Sequence, residues 1–250
     1  MRTILLTIVV AALASGCAVP QDQNTPVSEW REVDPTTGAG YWIYVPSTYS
    51  HNRPAKVIIT CHGTPPWDIA NMHIREWKML GENHGCIVVA PELRDTDGIV
   101  GDGPPVGMLA DEKRIMSVIS ILGYRYNIDL ANIMITGFSG GGFPTYWVGL
   151  RHPEIFSVVV GRSCNFSVGN LDGWYPPEAV RTPVMIYYGS LDLPNVTSES
   201  LRGISYLQQR GFTVESTVIE GIGHARRPEV AMGFFRRHWR TPRPSLPSKM

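Results

Sequence analysis

The polar and apolar positions of the chain fall into two alternating rhythms. Residues 55–60, 86–90, 133–136, 157–160 and 184–188 are continuous apolar runs rich in β-branched side chains. Such runs predict strands covered on both faces, the pattern of a parallel sheet. Residues 213–219 alternate more and predict a strand nearer an edge. Residues 30–33 and 41–45 flank a Thr37-Gly38-Ala39-Gly40 turn and predict an antiparallel hairpin. Between the strands lie helical patterns. Ile115, Val118, Ile119 and Leu122 make one apolar stripe at helical spacing. Asp111 and Glu112 are expected in the first turn of that helix, where negative charge suits the dipole. Residues 68–84, 140–152, 198–209 and 228–239 are the other helical segments. Strand–helix alternation of this kind predicts an α/β fold, a mainly parallel sheet with helices on both faces. It occupies residues 29–240, with a polar linker at 18–28 and a Pro- and Ser-rich tail at 241–250 expected to be disordered.

Residues 1–17 are expected to lie outside the fold. A short positive start precedes an apolar run, Ile4 to Ala14, too short to span a bilayer as a stable helix. This predicts export. The stretch Ala14-Ser15-Gly16-Cys17 resembles a bacterial lipobox, which would make Cys17 a lipidated first residue of the mature protein. A plain signal peptide cut near Ala18 is the alternative. A lipid on Cys17 would be the chain's one link to a membrane. Of the remaining cysteines, Cys61 closes one predicted strand and Cys86 opens another. In parallel neighbours these positions lie at opposite ends, so no disulfide is expected, and Cys164 completes an odd set. Lys plus Arg and Asp plus Glu both number 22, so the charge balance gives no footprint for nucleic acid. No metal-ligand spacing and no nucleotide-binding glycine pattern is present, so no cofactor is expected. Oligomeric state is not legible in the sequence.

The chemistry concentrates around Gly137-Phe138-Ser139-Gly140-Gly141, a G-x-S-x-G between a predicted strand and a predicted helix. A tight strand-to-helix turn needs small neighbours, and it lifts a serine hydroxyl above the sheet. A hydroxyl becomes a nucleophile only when a base removes its proton. His224, in the loop after the last strand, is the candidate base. Asp192, in the loop after the penultimate strand, is the candidate acid that orients it, in the chain order expected for this motif. Asp172 and Glu220 are the rivals. Backbone N–H groups of Gly140 and Thr64 are the candidate oxyanion donors. Trp67 and Trp174 are expected near the rim of an open cleft that receives short or aromatic acyl esters.

Cys61-His62-Gly63-Thr64, Ala90-Pro91-Glu92, Asp129 through Gly141, Arg151 through Phe156 and Gly189-Ser190-Leu191-Asp192 together resemble the α/β-hydrolase superfamily. Within it the chain is similar to the esterase group that includes polyhydroxybutyrate depolymerase-like and feruloyl esterase-like proteins. The resemblance implies an α/β-hydrolase fold, and the shortness of the segment from about Arg162 to Pro183, where that fold often carries a cap, predicts a short or absent cap. The resemblance also implies ester hydrolysis through an acyl-enzyme, with a small-molecule ester as partner. Cleavage of short peptides, acyl transfer to an alcohol, or a non-catalytic lipoprotein of the same fold are the alternatives.

Overall fold

The computed structural model describes residues 29–96 and 106–245. The predicted signal segment with Cys17, the whole of the linker, residues 97–105 and residues 246–250 lie outside the described residues.

Eight strands form one sheet in the order β1-β2-β4-β3-β5-β6-β7-β8. The hairpin is β1 (Trp30–Val33) and β2 (Gly40–Tyr44). Its turn is closed by Asp34, whose N–H donates to the Ala39 carbonyl and whose own carbonyl accepts from Gly38, both at 2.8 Å. Gly38 takes φ 68, a left-handed angle that glycine adopts without a Cβ penalty. The hairpin joins the sheet antiparallel through β4 (Cys86–Pro91). The remaining strands run parallel: β3 (Ala55–Cys61), β5 (Ile128–Ser139), β6 (Val158–Cys164), β7 (Val184–Gly189) and β8 (Val214–Ile219). The continuous apolar runs are the interior strands, and the alternating one, β8, is an edge.

Alternate side chains along each strand enter opposite layers. On one face Val57, Ile59, Ile87, Val89, Ile133 and Ile135 pack with α2 (Val106–Arg125) and α3 (Gly142–Arg151), and Val184 and Ile186 with α5 (Pro194–Gln209). On the other, Ile58, Val88, Met134, Val158 and Val160 pack with α1 (Ala70–His84) and α6 (Pro228–Arg237). Between β6 and β7 stand only the short helix α4 (Val168–Leu171) and a 3-10 turn, Pro177–Arg181. That segment is a short cap region, as expected.

Two expectations fail. Helix α2 begins at Val106, so Asp111 and Glu112 sit in its second turn and the first turn carries no acid. Both carboxylates bond to protein instead. Asp111 accepts the N–H groups of Arg94 and Asp95, and Glu112 accepts Trp147 Nε1–H at 2.6 Å. The tail expected to be disordered from 241 is held as far as Ser245. The Leu130 N–H donates to the Arg243 carbonyl at 2.7 Å, and the Ser245 N–H donates to the Ile128 carbonyl at 2.8 Å. The buried Ser245 hydroxyl also accepts the Ile128 N–H at 2.9 Å. The start of β5 has backbone groups to satisfy, and this segment satisfies them.

Candidate active site

The chain leaves β3 for one neighbour, β4, and returns on its other side as β5. Open α/β sheets bind ligands at such a switch point, beyond the carboxyl ends of the strands. A cleft of about 590 Å³ lies there, lined by residues that include Thr64, Trp67, Phe138, Ser139, Leu193 and His224.

Ser139 ends β5 at φ 54, in the left-handed region that a serine rarely adopts. The turn closes through the Gly141 N–H on the Phe138 carbonyl and the Asn165 N–H on the Ser139 carbonyl, both at 2.9 Å. Its glycines are required by close approach. A Cβ on Gly140 would stand 1.9 Å from the Thr96 carbonyl oxygen, and one on Gly141 2.4 Å from the Cys61 carbonyl oxygen. The same crowding sets Gly140 beside Thr64, whose Oγ1 would lie 2.6 Å from that Cβ. Among the described residues the N–H groups of Gly140 and Thr64 have no partner.

His224 Nδ1 lies 2.7 Å from Asp192 Oδ1. The His224 ring packs on Phe138 with centroids 4.5 Å apart. The Asp192 side chain is fully buried. Burial works to raise its pKa, but hydrogen bonds from His224, Ser163 and the Leu193 N–H outweigh it and hold the carboxyl below the usual range. Asp192 therefore stays ionised and fixes the proton of His224 on Nδ1, leaving Nε2 as the basic atom. Ser163, at φ 47, also points its hydroxyl at the Ala225 carbonyl, 3.4 Å away, between the two loops. The rivals are elsewhere. Asp172 pairs with Arg210 at 2.6 Å on the surface, and Glu220 is exposed.

The structure thus brings together Ser139, Asp192, His224, Thr64, Gly140 and Trp67. It does not bring Trp174. That side chain packs against Trp147, with centroids 6.0 Å apart, and its carbonyl accepts from Arg151 Nη1 at 2.6 Å. Arg151 in turn lies over the Trp147 ring. Trp174 thus packs beside α3 and is not among the residues that line the cleft. Trp67 is 79% exposed at the cleft.

Sequence reasoning passed over a charged cluster in the wall of the cleft, which Asp68, Glu76 and Arg226 line. Asp68 accepts the Gly63 N–H at 2.7 Å, His73 Nε2–H at 2.8 Å and Arg226 Nη2–H at 2.5 Å. Burial opposes its ionisation, yet these partners hold it well below the usual carboxylate range. Arg226 also lies over the Phe138 ring, 5.1 Å from its centroid. Glu76 pairs with the fully buried Arg162 and stands 3.4 Å from Arg226 Nε. The only signal in the sequence was the place of Arg226, two residues past His224. Cys61, Cys86 and Cys164 are buried thiols, each pushed up to about 12 by that burial. Among the described residues no cluster of His, Cys, Asp or Glu could hold a metal ion.

A parallel sheet with an antiparallel hairpin at one edge, and a left-handed serine between β5 and α3, defines the α/β-hydrolase fold. No family model matches the chain. It is similar to dipeptidyl-peptidase 5 of Porphyromonas gingivalis, at 22% identity over 86% of this chain and 37% of the relative. It is also similar to the bifunctional acetylxylan esterase/xylanase XynS20E of Neocallimastix patriciarum, at 28% identity over 44% of this chain and 15% of the relative. The chain thus spans well under half the length of these curated relatives. Among solved structures, an S-formylglutathione hydrolase from Staphylococcus aureus superposes with a TM-score of 0.65 at 15% identity, covering 85% of this chain and 98% of that one. A ferulic acid esterase from Anaeromyces mucronatus gives 0.63 at 14%, covering 88% and 94%. At these identities the structural likeness is one of fold.

Proposed function

We propose that the protein is a carboxylesterase-like serine hydrolase acting on small esters through Ser139, His224 and Asp192. The observation that carries this reading is the His224 Nδ1–Asp192 Oδ1 contact of 2.7 Å beside a serine held at φ 54 in the same cleft. In this reading Ser139 Oγ attacks the ester carbonyl carbon while His224 Nε2 takes its proton. The N–H groups of Thr64 and Gly140 receive the oxyanion. His224 then gives the proton to the departing alcohol, leaving an acyl-Ser139 ester. Water, deprotonated by His224, attacks that ester, and the acid leaves as Ser139 regains its proton. Asp192 remains ionised and stabilises the imidazolium.

The test is fluorophosphonate labelling together with hydrolysis of short p-nitrophenyl esters. Ser139→Ala should abolish both and leave the fold intact, and labelling at the wild-type rate would remove Ser139 from the mechanism. The likeness to a dipeptidyl-peptidase over most of the chain favours one second reading, cleavage of short peptides. Dipeptide p-nitroanilides turned over faster than esters would establish it. For location we propose export, with a lipid on Cys17. The sequence of residues 1–17 supports this, and Cys17→Ser should move the protein from the membrane fraction to the soluble one.

A further inference from the structure

The oxyanion donor on the β3 side has to be a backbone N–H that is both free and turned toward the cleft. Four consecutive residues offer candidates, and the structure disposes of all but one. The Gly63 N–H is consumed by Asp68 Oδ2. Pro65 and Pro66 have no N–H to give. Thr64 alone remains. Its N–H belongs to the peptide group whose carbonyl is that of Gly63, and in a trans peptide the two point in opposite directions. Whatever holds the Gly63 carbonyl therefore aims the Thr64 N–H.

The group that holds it is His62. This ring is 2% exposed, and its Nδ1 lies 2.7 Å from the Gly63 carbonyl oxygen. A carbonyl can only accept, so Nδ1 carries the hydrogen. The other nitrogen, Nε2, lies 2.9 Å from the Leu93 N–H, which can only donate, so Nε2 is bare. Two backbone groups of opposite kind thus fix one neutral tautomer. The flanking peptides are gripped by Asp68, through Gly63 N–H on its carboxylate and through its own N–H on the Thr64 carbonyl at 3.2 Å. Gly63 has no slack between these grips. A Cβ there would stand 2.9 Å from Asp68 Oδ2 and 3.2 Å from Ser139 Cβ. His62 is not among the residues that line the cleft, whereas Thr64 is. A carbonyl turned toward His62 sends the Thr64 N–H the other way, to the side of Ser139.

We infer that His62 is a positioning residue of the reaction: its Nδ1–H holds the Gly63 carbonyl and so presents the Thr64 N–H to the oxyanion. The inference rests on the esterase reading above. It separates the two ring nitrogens, and two substitutions separate them as well. His62→Asn places an amide N–H near the Nδ1 position and nothing at Nε2. His62→Gln places an amide oxygen near Nε2 and no donor at Nδ1. The expected result is a kcat loss of about 10²–10³ for His62→Gln, the scale of one missing oxyanion donor, with KM within about twofold. His62→Asn should keep kcat within about tenfold of wild type. A purely structural histidine would give no such split. Equal kcat losses in two folded variants, or wild-type kcat in His62→Gln, would overturn the inference. Should either variant prove unfolded, ring ¹⁵N spectra of the wild-type protein decide. A His62 protonated on Nδ1 upholds the assignment, and one protonated on Nε2 sinks it. Wild-type protein without Ser139-dependent hydrolysis would break the esterase reading instead, a different result from an active enzyme indifferent to His62→Gln.

Discussion

Asp192 and Asp68 each hold a histidine: His224 through Nδ1 at 2.7 Å, and His73 through Nε2 at 2.8 Å. Distance does not distinguish the pairs, and both carboxyls are held below their usual range. The difference is the second ring nitrogen. In His73 it is spent, with Thr60 Oγ1 at 2.8 Å and Arg162 Nη2 at 3.3 Å, and the ring is fully buried. In His224 it has no partner among the described residues, and the side chain is 22% exposed where Ser139 lines the cleft. A carboxylate–imidazole pair becomes a candidate base only when its far nitrogen is left free and reachable. The same pair with that nitrogen saturated is a structural clamp.

The largest effect that tests this contrast is on turnover. Asp192→Asn should lower kcat by up to ~10⁴, the cost of a wrongly held tautomer, with little change in melting temperature. His73→Gln should leave kcat within about tenfold and lower the melting temperature instead. Ester kinetics and thermal denaturation on both variants check the pair. Equal losses of kcat would break the distinction.

Next in size is the clamp itself. Arg162 is fully buried in β6, where it meets Glu76, Thr136 Oγ1, Thr60 Oγ1 and the face of Trp77. Removing one partner of a buried pair leaves an uncompensated charge, at a cost of ~3–5 kcal/mol. Arg162→Met should lower stability on that scale in urea denaturation, and adding Glu76→Leu should restore much of it. An unchanged midpoint for the single variant would mean that the cluster contributes nothing to holding the wall of the cleft that Asp68, Glu76 and Arg226 line.

How much of this was legible in the chain follows from distance along it. The interior strands showed because burial on both faces demands unbroken apolar runs. That Ser139, Asp192 and His224 meet at one end of the sheet was legible because each ends a strand or follows one. The clamp did not show: Asp68 and Arg226 are joined across 158 residues, and an isolated charged residue in a sequence carries no mark of burial. Nothing local separates Trp67 from Trp174 either, since what decides between them is the surface that α3 presents. The tail through Ser245 looked polar and unstructured because its partners are backbone groups of β5, which no side-chain pattern advertises. Helix α2 starts earlier than its acids suggested, because those acids serve backbone N–H groups and Trp147 rather than the helix dipole.

A smaller effect lies in the pH dependence of stability. Burial lowers the pKa of His73. The unfolded chain takes up a proton near pH 6.5 that the folded ring refuses, so stability falls as pH drops below about 6.5. His152 behaves oppositely. Its bond to Glu112 at 2.7 Å, with Glu154 at 3.1 Å, raises its pKa. That contribution is complete below about pH 6.5 and is lost as pH rises through the raised value. Melting temperatures from pH 5 to 8 should therefore fall less steeply toward acid in His73→Gln than in wild type. The gap between wild type and His152→Gln should widen from pH 8 to 6. Parallel curves for all three proteins would deny both titrations a part in folding.

The smallest effect carries the contrast of free and saturated groups over to the two tryptophans. Trp67 has an open face at the cleft, as His224 has an open nitrogen. Trp174 is 38% exposed but lies away from the cleft, with its ring tilted against Trp147 and its carbonyl on Arg151. An aromatic pair is worth about 0.5–1.5 kcal/mol beyond its area, which as a change in binding is roughly 2- to 12-fold. Trp67→Ala should raise KM by that factor for aromatic acyl esters and much less for acetate. Trp174→Ala should leave both KM values unchanged and lower the melting temperature, because α3 loses a packed ring. A chain-length and aromatic series of p-nitrophenyl esters on the two variants reads this directly. If Trp174→Ala shifts KM and Trp67→Ala does not, exposure at the cleft is the wrong criterion, and the rule drawn from the two histidines fails at its first extension.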